Sequence, residues 1–176
     1  MTQSRTLSKK MKKWIANILI IGIVLYVAMQ IKSQYIVVAM VPSESMEPTI
    51  SEGSYLLGIK TEHVNANFQR GDIILFEHDG EIYTKRIIGI PGDSLTIISG
   101  AVYINGDLYI EEYVKENWDV TREVYSYNIP LHKYFVMGDN RLNSEDSRQW
   151  GYISQKDVFA KVKWIVYPFH NIKKLY

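Results

Sequence analysis

Two serines, Ser43 and Ser45, lie one residue apart in the stretch VAMVPSESMEPTI (residues 38–50). Pro42 and Pro48 flank them, and a methionine follows the second serine. A polar turn does not require this arrangement, so the two hydroxyl groups are candidates for chemistry. A serine hydroxyl is a weak nucleophile until a neighbouring base activates it. These serines therefore require a base from elsewhere in the chain.

Lys85, in the run EIYTKRIIGI (residues 81–90), is a candidate for that base. Because side chains alternate along a strand, Lys85 is expected to share an apolar face with its second neighbours. Desolvation lowers a lysine pKa, and a value about 2–3 below the usual 10.4 would make a usable base. The alternative is a lysine whose head group reaches water. The predicted face contains Tyr83, Lys85, Ile87 and Gly89, and the opposite face contains Thr84, Arg86 and Ile88.

A second polar segment, GDNRLNSEDSRQWG (residues 138–151), follows a hydrophobic run. Polar groups of both signs at this density favour a rigid hydrogen-bonded network over a solvated loop. A calcium site is the other alternative, but Asp139, Asn143 and Asp146 lack EF-hand spacing. We therefore expect neither a metal nor another cofactor.

The four histidines lie outside both polar segments, the chain has no cysteine, and no G-x-S-x-G motif is present. A Ser-His-Asp triad is thus unsupported, although sequence alone does not exclude one. A serine–lysine pair is the remaining combination of nucleophile and base. The histidines are His63, His78, His132 and His170.

The N-terminus combines basic residues with an uncharged apolar run of 18 residues, Trp14–Ile31. Residues 1–32 carry +6, and because the whole chain carries +1 the remainder carries −5. A nucleic-acid-binding face is therefore not expected. The run spans about 27 Å, close to a bilayer core, and basic residues before it favour a cytoplasmic N-terminus. We predict residues 1–13 in the cytoplasm, a retained anchor at 14–31 in the lipid bilayer and residues 33–176 outside. The alternative is a cleaved signal peptide.

The outer part contains short β-type runs and no long amphipathic helix, which predicts an all-β barrel or sandwich. Residues 111–131 have weak periodicity and are expected to be irregular, within a small β insert around 94–131. The expected strands lie in residues 35–41, 54–59, 71–76, 81–90, 94–100, 101–107, 108–110, 134–137 and 157–167.

In this combination of segments the chain resembles the bacterial type I signal peptidases of the Ser–Lys class, peptidase family S26. The resemblance implies an all-β catalytic domain with one N-terminal transmembrane helix. The segments that match in order are the anchor, PSESMEPT (42–49), RGDIILF (70–76), YTKRIIGIPGD (83–93) and GDNRLNSEDSR (138–148).

By this resemblance, Ser45 is the nucleophile, Lys85 the general base and Ser43 an oxyanion-hole hydroxyl. Ser144 matches the hydroxyl that orients the lysine. The implied supporting ion pairs are Asp146 with Arg148 and Asp139 with Arg86.

The implied activity is that of a membrane-bound serine endopeptidase that cleaves signal peptides from exported preproteins at the cell membrane. A signal peptidase-like protein dedicated to a pilus or conjugation system is the alternative, with pilus or secretion machinery as partner. An anchored binding module would leave the matching segments unexplained. Two departures from the common pattern, Glu44 between the serines and Leu142 in place of a frequent acid, bear on activity and substrate preference.

Overall fold

The computed structural model describes residues 9–63, 68–114 and 123–175. The chain divides into two compact units, Met1–Ile36 and Val37–Tyr176. The polar segments of interest all belong to the second unit.

Helix α1, Lys9–Tyr35, is 27 residues long, which corresponds to about 40 Å. It extends beyond the apolar run 14–31 at both ends, since lysine, methionine and glutamine are good helix formers. Its apolar side chains from Ile15 to Met29 are exposed. By length and composition, it is the one helix among the described residues that is able to cross a membrane.

The second unit is built of antiparallel strands, and the prediction of an all-β fold behind one N-terminal helix is confirmed. The one further α-helix in the described residues is α2, Ser147–Trp150. The strands are β1 Ile36–Met40, β2 Tyr55–Lys60, β3 Ile73–His78, β4 Glu81–Gly89, β5 Ser94–Ile98, β6 Ala101–Ile104, β7 Asp107–Tyr109, β8 Val124–Asn128, β9 Lys133–Met137, β10 Ile153–Ser154, β11 Val158–Tyr167 and β12 Lys173–Lys174.

The strands form two sheets. The larger sheet has the order β1-β2-β11-β3-β4-β9-β10, with β12 beside β11, and the smaller has the order β7-β6-β5-β8. Tight turns with positive φ connect β3 to β4 at Asp79-Gly80 and β6 to β7 at Asn105-Gly106. Such residues tolerate the left-handed conformation that two-residue hairpin turns require. Asp-Gly and Asn-Gly pairs between two apolar runs are the sequence signal of such a hairpin.

The larger sheet is buried on both faces around β3. Ile73 and Leu75 pack into one apolar cluster with Met46, whereas Ile74 and Phe76 pack into a second on the opposite face. A strand covered on both sides reads as a continuous apolar run, as IILF does here. This rigid strand lies next to β4, which carries Lys85.

Strand β4 has a bulge that the predicted alternation missed. Its pairing with β9 shifts register between Ile87 and Gly89. A Cβ at Gly89 would lie 2.0 Å from Ile129 and 3.3 Å from Leu95, which belong to a third cluster with Ile88. The assignment of Gly89 to the face of Lys85 was wrong, because the extra residue of a bulge interrupts the two-residue period.

The prediction of an irregular segment at residues 111–131 was wrong at its C-terminal end. Strand β8 pairs along its length with β5 and completes the smaller sheet. Its sequence VYSYN is rich in residues that favour strands, but most of them are exposed and leave no apolar periodicity. Residues 115–122 of the same segment lie outside the described residues.

Candidate active site

Ser45 lies in a single 3₁₀ turn, Glu44–Met46, a few residues after β1 ends. Met46 is fully buried in the apolar cluster beside β3, so it fixes the turn to the core. Ser45 is 8% exposed, and Ser43 precedes it in an extended conformation with an exposed side chain. The Ser43 hydroxyl donates to Ser45 Oγ at 3.3 Å.

The loop that follows β9 packs directly against this turn. The Asn140 backbone N–H donates to the Ser45 carbonyl at 3.0 Å, and Asn140 Nδ2 donates to the Glu44 carbonyl at 3.2 Å. A Cβ at Gly138 would lie 2.4 Å from the Ser45 carbonyl oxygen and 2.3 Å from Ser144 Oγ. Only glycine permits this approach, so the serine turn and the loop meet at Gly138.

Lys85 is buried on the face of β4 that carries Ile87. It is 3% exposed and lies opposite Ile74 in the β3–β4 register. Its head group is therefore shielded from bulk water. Burial lowers the pKa of Lys85 to about 8, although the Asp146 carboxylate opposes this change. Lys85 Nζ donates to Ser144 Oγ at 3.0 Å.

Ser144, Asp146 and Arg148 form a continuous network beside this lysine. The Ser144 hydroxyl donates to Asp146 Oδ2 at 2.8 Å, and Asp146 is fully buried. Asp146 also accepts from Arg148 Nε at 2.8 Å and from the Gly138 backbone N–H at 3.0 Å. With its lone pairs occupied in this way, the carboxylate fixes the hydroxyl that contacts Lys85.

Arg86 and Asp139 form a second buried ion pair. Arg86 Nε and Nη2 donate to the two carboxylate oxygens of Asp139 at 2.8 and 2.6 Å. Arg86 Nη1 also donates to the Gly71 carbonyl at 2.9 Å, and the guanidinium lies 3.9 Å from the ring centroid of Tyr113. Because Arg86 follows Lys85 in the strand, its side chain leaves from the other face, where this pair joins β4 to the start of the loop.

A cavity of about 490 Å³ brings several of these residues together. Its wall combines the serine turn, the first half of β4 and the loop after β9. Strand β9 pairs with β4 only at Arg86 and beyond, so within the described residues this edge of Glu81–Lys85 has no strand partner. The lining residues are Val41, Pro42, Ser43, Ser45, Glu81, Ile82, Tyr83, Thr84, Lys85, Leu142, Asn143, Ser144, Glu145 and Gln149.

Of the two departures from the common pattern, Leu142 lines this cavity and Glu44 bonds to one of its lining residues. Glu44 is exposed, and its carboxylate accepts from Asn143 Nδ2 at 3.4 Å. Leu142 is 79% exposed and lines the cavity. Leu142 is therefore positioned at the mouth of the cavity, whereas Glu44 lies beside it, bonded to the lining residue Asn143.

The sequence reasoning missed a buried ion pair between Arg141 and Glu111. Arg141 lies in the polar loop, and its side chain is 0% exposed, whereas Glu111 lies 30 residues earlier, after β7. The burial of Arg141 had no signal in the sequence, because its partner falls in a segment without periodicity. Tyr113 and Gly138 were missed for the same reason, since both act through contacts distant in sequence.

Comparison with known proteins places the chain in a family. A family model described as "Signal peptidase, peptidase S26" matches residues 11–167. Signal peptidase I of Bacillus licheniformis is 35% identical over 99% of this chain and 99% of its own length. Signal peptidase I U of Bacillus subtilis (strain 168) is 33% identical over 97% of this chain and 98% of its own length. A crystal structure of a signal peptidase I from Enterococcus faecalis V583 is 34% identical, with a TM-score of 0.47, over 52% of this chain and 93% of that one.

The chain therefore belongs to the signal peptidase family, peptidase S26. More particularly, its relatives along nearly the whole chain are signal peptidases I, so it is an enzyme of the serine peptidase class. The family predicted from the motifs is confirmed.

Proposed function

We propose that this protein is a membrane-anchored serine endopeptidase that removes signal peptides from exported preproteins, with Ser45 as nucleophile and Lys85 as base. One observation carries the proposal. Lys85, which is buried and has a lowered pKa, lines the same cavity as Ser45. The Ser144 hydroxyl accepts a hydrogen bond from Lys85 and holds it in place.

The lowered pKa makes Lys85 available as a base. With a pKa of about 8, roughly one molecule in ten has a neutral lysine at pH 7, against about one in three thousand at the ordinary value. General base catalysis requires this neutral form. The burial of Lys85 thus increases the reactive population by a factor of about 300.

Acylation begins when Ser45 Oγ attacks the carbonyl carbon of the scissile peptide bond. Its proton passes to Lys85 Nζ, and the carbonyl oxygen becomes an oxyanion. Collapse of this intermediate breaks the C–N bond, and Lys85 returns the proton to the leaving amine. The products are a new N-terminus on the exported protein and an ester between Ser45 and the signal peptide.

Deacylation uses the same groups. Neutral Lys85 takes a proton from water as the water oxygen attacks the ester carbonyl. Collapse of the second intermediate breaks the bond between the carbonyl carbon and Ser45 Oγ, and Lys85 returns the proton to Ser45 Oγ, which releases the signal peptide as a carboxylate. Ser144 orients the lysine in both halves of the reaction, because Lys85 donates to its hydroxyl while Asp146 accepts from it. The ion pair of Asp146 with Arg148 and that of Asp139 with Arg86 support the geometry.

Ser43 and the backbone N–H of Ser45 are proposed to bind the oxyanion. The Ser43 hydroxyl is 3.3 Å from Ser45 Oγ, which is close enough for both to contact one carbonyl group. In the free enzyme this hydroxyl donates to the nucleophile, and on substrate binding it turns to the developing negative charge. A donor that meets the oxygen only as its negative charge develops stabilises the transition state more than the ground state.

The substrate is proposed to bind as an extended strand along Glu81–Lys85, where β4 lacks a partner on one side. Main-chain hydrogen bonds at a sheet edge hold a peptide in register, and alternate side chains face the wall. This places one carbonyl beside Ser45 and Lys85, which line the same cavity.

We further propose that α1 anchors the enzyme in the cell membrane with the N-terminus in the cytoplasm. The helix is long and apolar, and basic residues precede its apolar part. Protease added outside intact cells is then expected to degrade the part of the protein after residue 33. Protection of that part until the cells are lysed would refute this orientation.

The alternative of a protein dedicated to a pilus or conjugation system is not favoured. The relatives described above are named as signal peptidases I, and no feature of the described residues points to a pilin subunit.

Cleavage of a purified preprotein by Lys85→Arg tests the proposed function. An arginine at this position is neutral in fewer than one molecule in 10⁵ at pH 7, so cleavage is expected to fall by at least about 10⁴-fold. Lys161→Arg makes the same change at a partly buried lysine paired with Asp72 and should retain activity. Circular dichroism checks that both variants are folded. Cleavage by Lys85→Arg within tenfold of the wild type would refute the Ser45–Lys85 mechanism.

A further inference from the structure

We propose that Glu111 and Arg141 are positioning residues for the reaction, which act by holding Gly138 between the serine turn and Ser144. The inference rests on the proposed roles of Ser45, Lys85 and Ser144. Glu111 lies outside every motif that matches the family, so this role extends the site to a segment with no assigned function.

The Glu111–Arg141 pair is buried and has several hydrogen bonds. Arg141 Nη1 and Nη2 donate to the two carboxylate oxygens of Glu111 at 2.8 and 2.5 Å. The side chains are 0% and 8% exposed. A third donor, Arg141 Nε, bonds to the Gly138 carbonyl at 3.0 Å. A displacement of Glu111 would therefore move the guanidinium and, through it, the Gly138 carbonyl.

Gly138 connects this pair to the proposed catalytic groups. Its backbone N–H donates to Asp146 at 3.0 Å, which in turn accepts from the Ser144 hydroxyl. The position of its missing side chain lies 2.4 Å from the Ser45 carbonyl oxygen and 2.3 Å from Ser144 Oγ. A movement of this peptide by a few tenths of an ångström would therefore alter the separation of the serine turn from Ser144.

Tyr113 adds a second contact from the same segment. Its hydroxyl donates to Glu111 Oε1 at 2.7 Å, and its ring packs against the Arg86 guanidinium. Arg86 is the neighbour of Lys85 and the partner of Asp139. Residues 111–113 thus contact both chain segments that support the proposed base, the strand through Arg86 and the loop through Arg141.

The expected effect falls on kcat rather than on KM. Glu111, Tyr113, Gly138 and Arg141 are all absent from the cavity lining within the described residues, so their loss removes no contact with the substrate. Loss of the Glu111 carboxylate leaves the buried Arg141 guanidinium unpaired. The surrounding loop must then move to let water reach this charge. Displacements of about 1 Å in reacting groups reduce rates by up to about 10²-fold.

The test compares Glu111→Gln with Glu112→Gln in the full-length enzyme in detergent micelles. Both variants remove one carboxylate from adjacent positions, but Glu112 is exposed. Steady-state cleavage of a signal-peptide substrate should show kcat about 10- to 100-fold lower for Glu111→Gln with KM within about twofold. Glu112→Gln should match the wild type in both constants.

Arg141→Lys separates positioning from charge alone. Lysine retains the positive charge but has neither the paired donors for Glu111 nor the Nε donor for Gly138. We expect this variant to have the same low kcat as Glu111→Gln. If Glu111→Gln does not fold, Tyr113→Phe, which removes one donor to Glu111, is expected to lower kcat about two- to fivefold.

Three results would overturn the inference: wild-type kcat in Glu111→Gln, a raised KM with unchanged kcat, or full activity in Arg141→Lys. In the event that Glu111→Gln is unfolded, wild-type kcat in Tyr113→Phe has the same meaning. Failure of the proposed function is recognised separately, because Lys85→Arg would then remain active whatever the result at Glu111.

Discussion

Replacement of Lys85 by methionine is expected to make the protein more stable while it abolishes activity. Methionine has a similar length but no charge, so it fits the apolar face beside Ile74 and Ile87. In the wild type the pKa is lowered from 10.5 to about 8, which corresponds to about 3 kcal/mol of unfavourable free energy for the protonated folded state. Methionine relieves this cost, but loss of the hydrogen bond to Ser144 offsets about 1 kcal/mol of the gain in stability. A net gain of about 2 kcal/mol is expected at pH 7.

The pH dependence identifies the cause of this gain. The folded pKa lies below the unfolded pKa, so between pH 8 and 10.5 the unfolded wild type binds more protons than the folded protein. Wild-type stability due to Lys85 therefore rises with pH through this window, and the advantage of Lys85→Met shrinks by about 3 kcal/mol across it. Below pH 8 the advantage is at its maximum.

Urea unfolding of the full-length protein in micelles, at pH values from 6 to 10, provides the measurement. Lys156→Met, at an exposed lysine, is the control and should change stability by less than about 0.5 kcal/mol. A Lys85→Met protein that is less stable than the wild type at pH 7, or whose difference does not vary with pH, would refute the argument that burial holds this lysine partly neutral.

Further predictions concern the rate. Ser43→Ala should lower kcat by about 10²–10³ with little change in KM, and an unchanged kcat in peptide cleavage assays would remove Ser43 from the site. The kcat/KM of the wild type should rise about tenfold per pH unit up to about pH 8 and then level off; a flat profile from pH 6 to 9 would contradict a titrating lysine. Arg148→Ala should raise the pH at which kcat/KM levels off, because the Arg148 charge lowers the pKa of Lys85. Gly138→Ala should lower kcat by about 10²-fold, since its Cβ would collide with Ser144 Oγ, and wild-type kinetics in a folded variant would show that the loop adapts.

The strands with regular apolar patterns could be predicted from the sequence. The runs around β3, β4 and β11 are apolar because they are covered by other elements, and Asp79-Gly80 and Asn105-Gly106 require the backbone that hairpins use. The prediction of strands failed where a strand forms through pairing with a neighbour and has no apolar periodicity of its own. β8 is mostly exposed, and it forms a strand through its pairing with β5.

The site was predictable in its local parts and not in its long-range parts. Lys85 was expected to lie among apolar side chains, because alternation over four residues of β4 is a local property. The bulge near Gly89 brings the backbone close to Ile129 and Leu95, and its local signal, a glycine within a strand, was overlooked by strict alternation. The Glu111–Arg141 pair joins residues 30 apart, so its burial follows from the assembled fold.

Adjacent positions in β4 present a lysine to one face of the sheet and an arginine to the other. A strand that paired one residue out of register would exchange the two faces. Arg86 would then be directed toward Ser45, and a guanidinium does not deprotonate near neutral pH. A misassembled molecule would therefore be an inactive one. With the mechanism proposed above, the strand register is thus a safeguard, since proteolytic capacity would arise only together with the correctly assembled sheet.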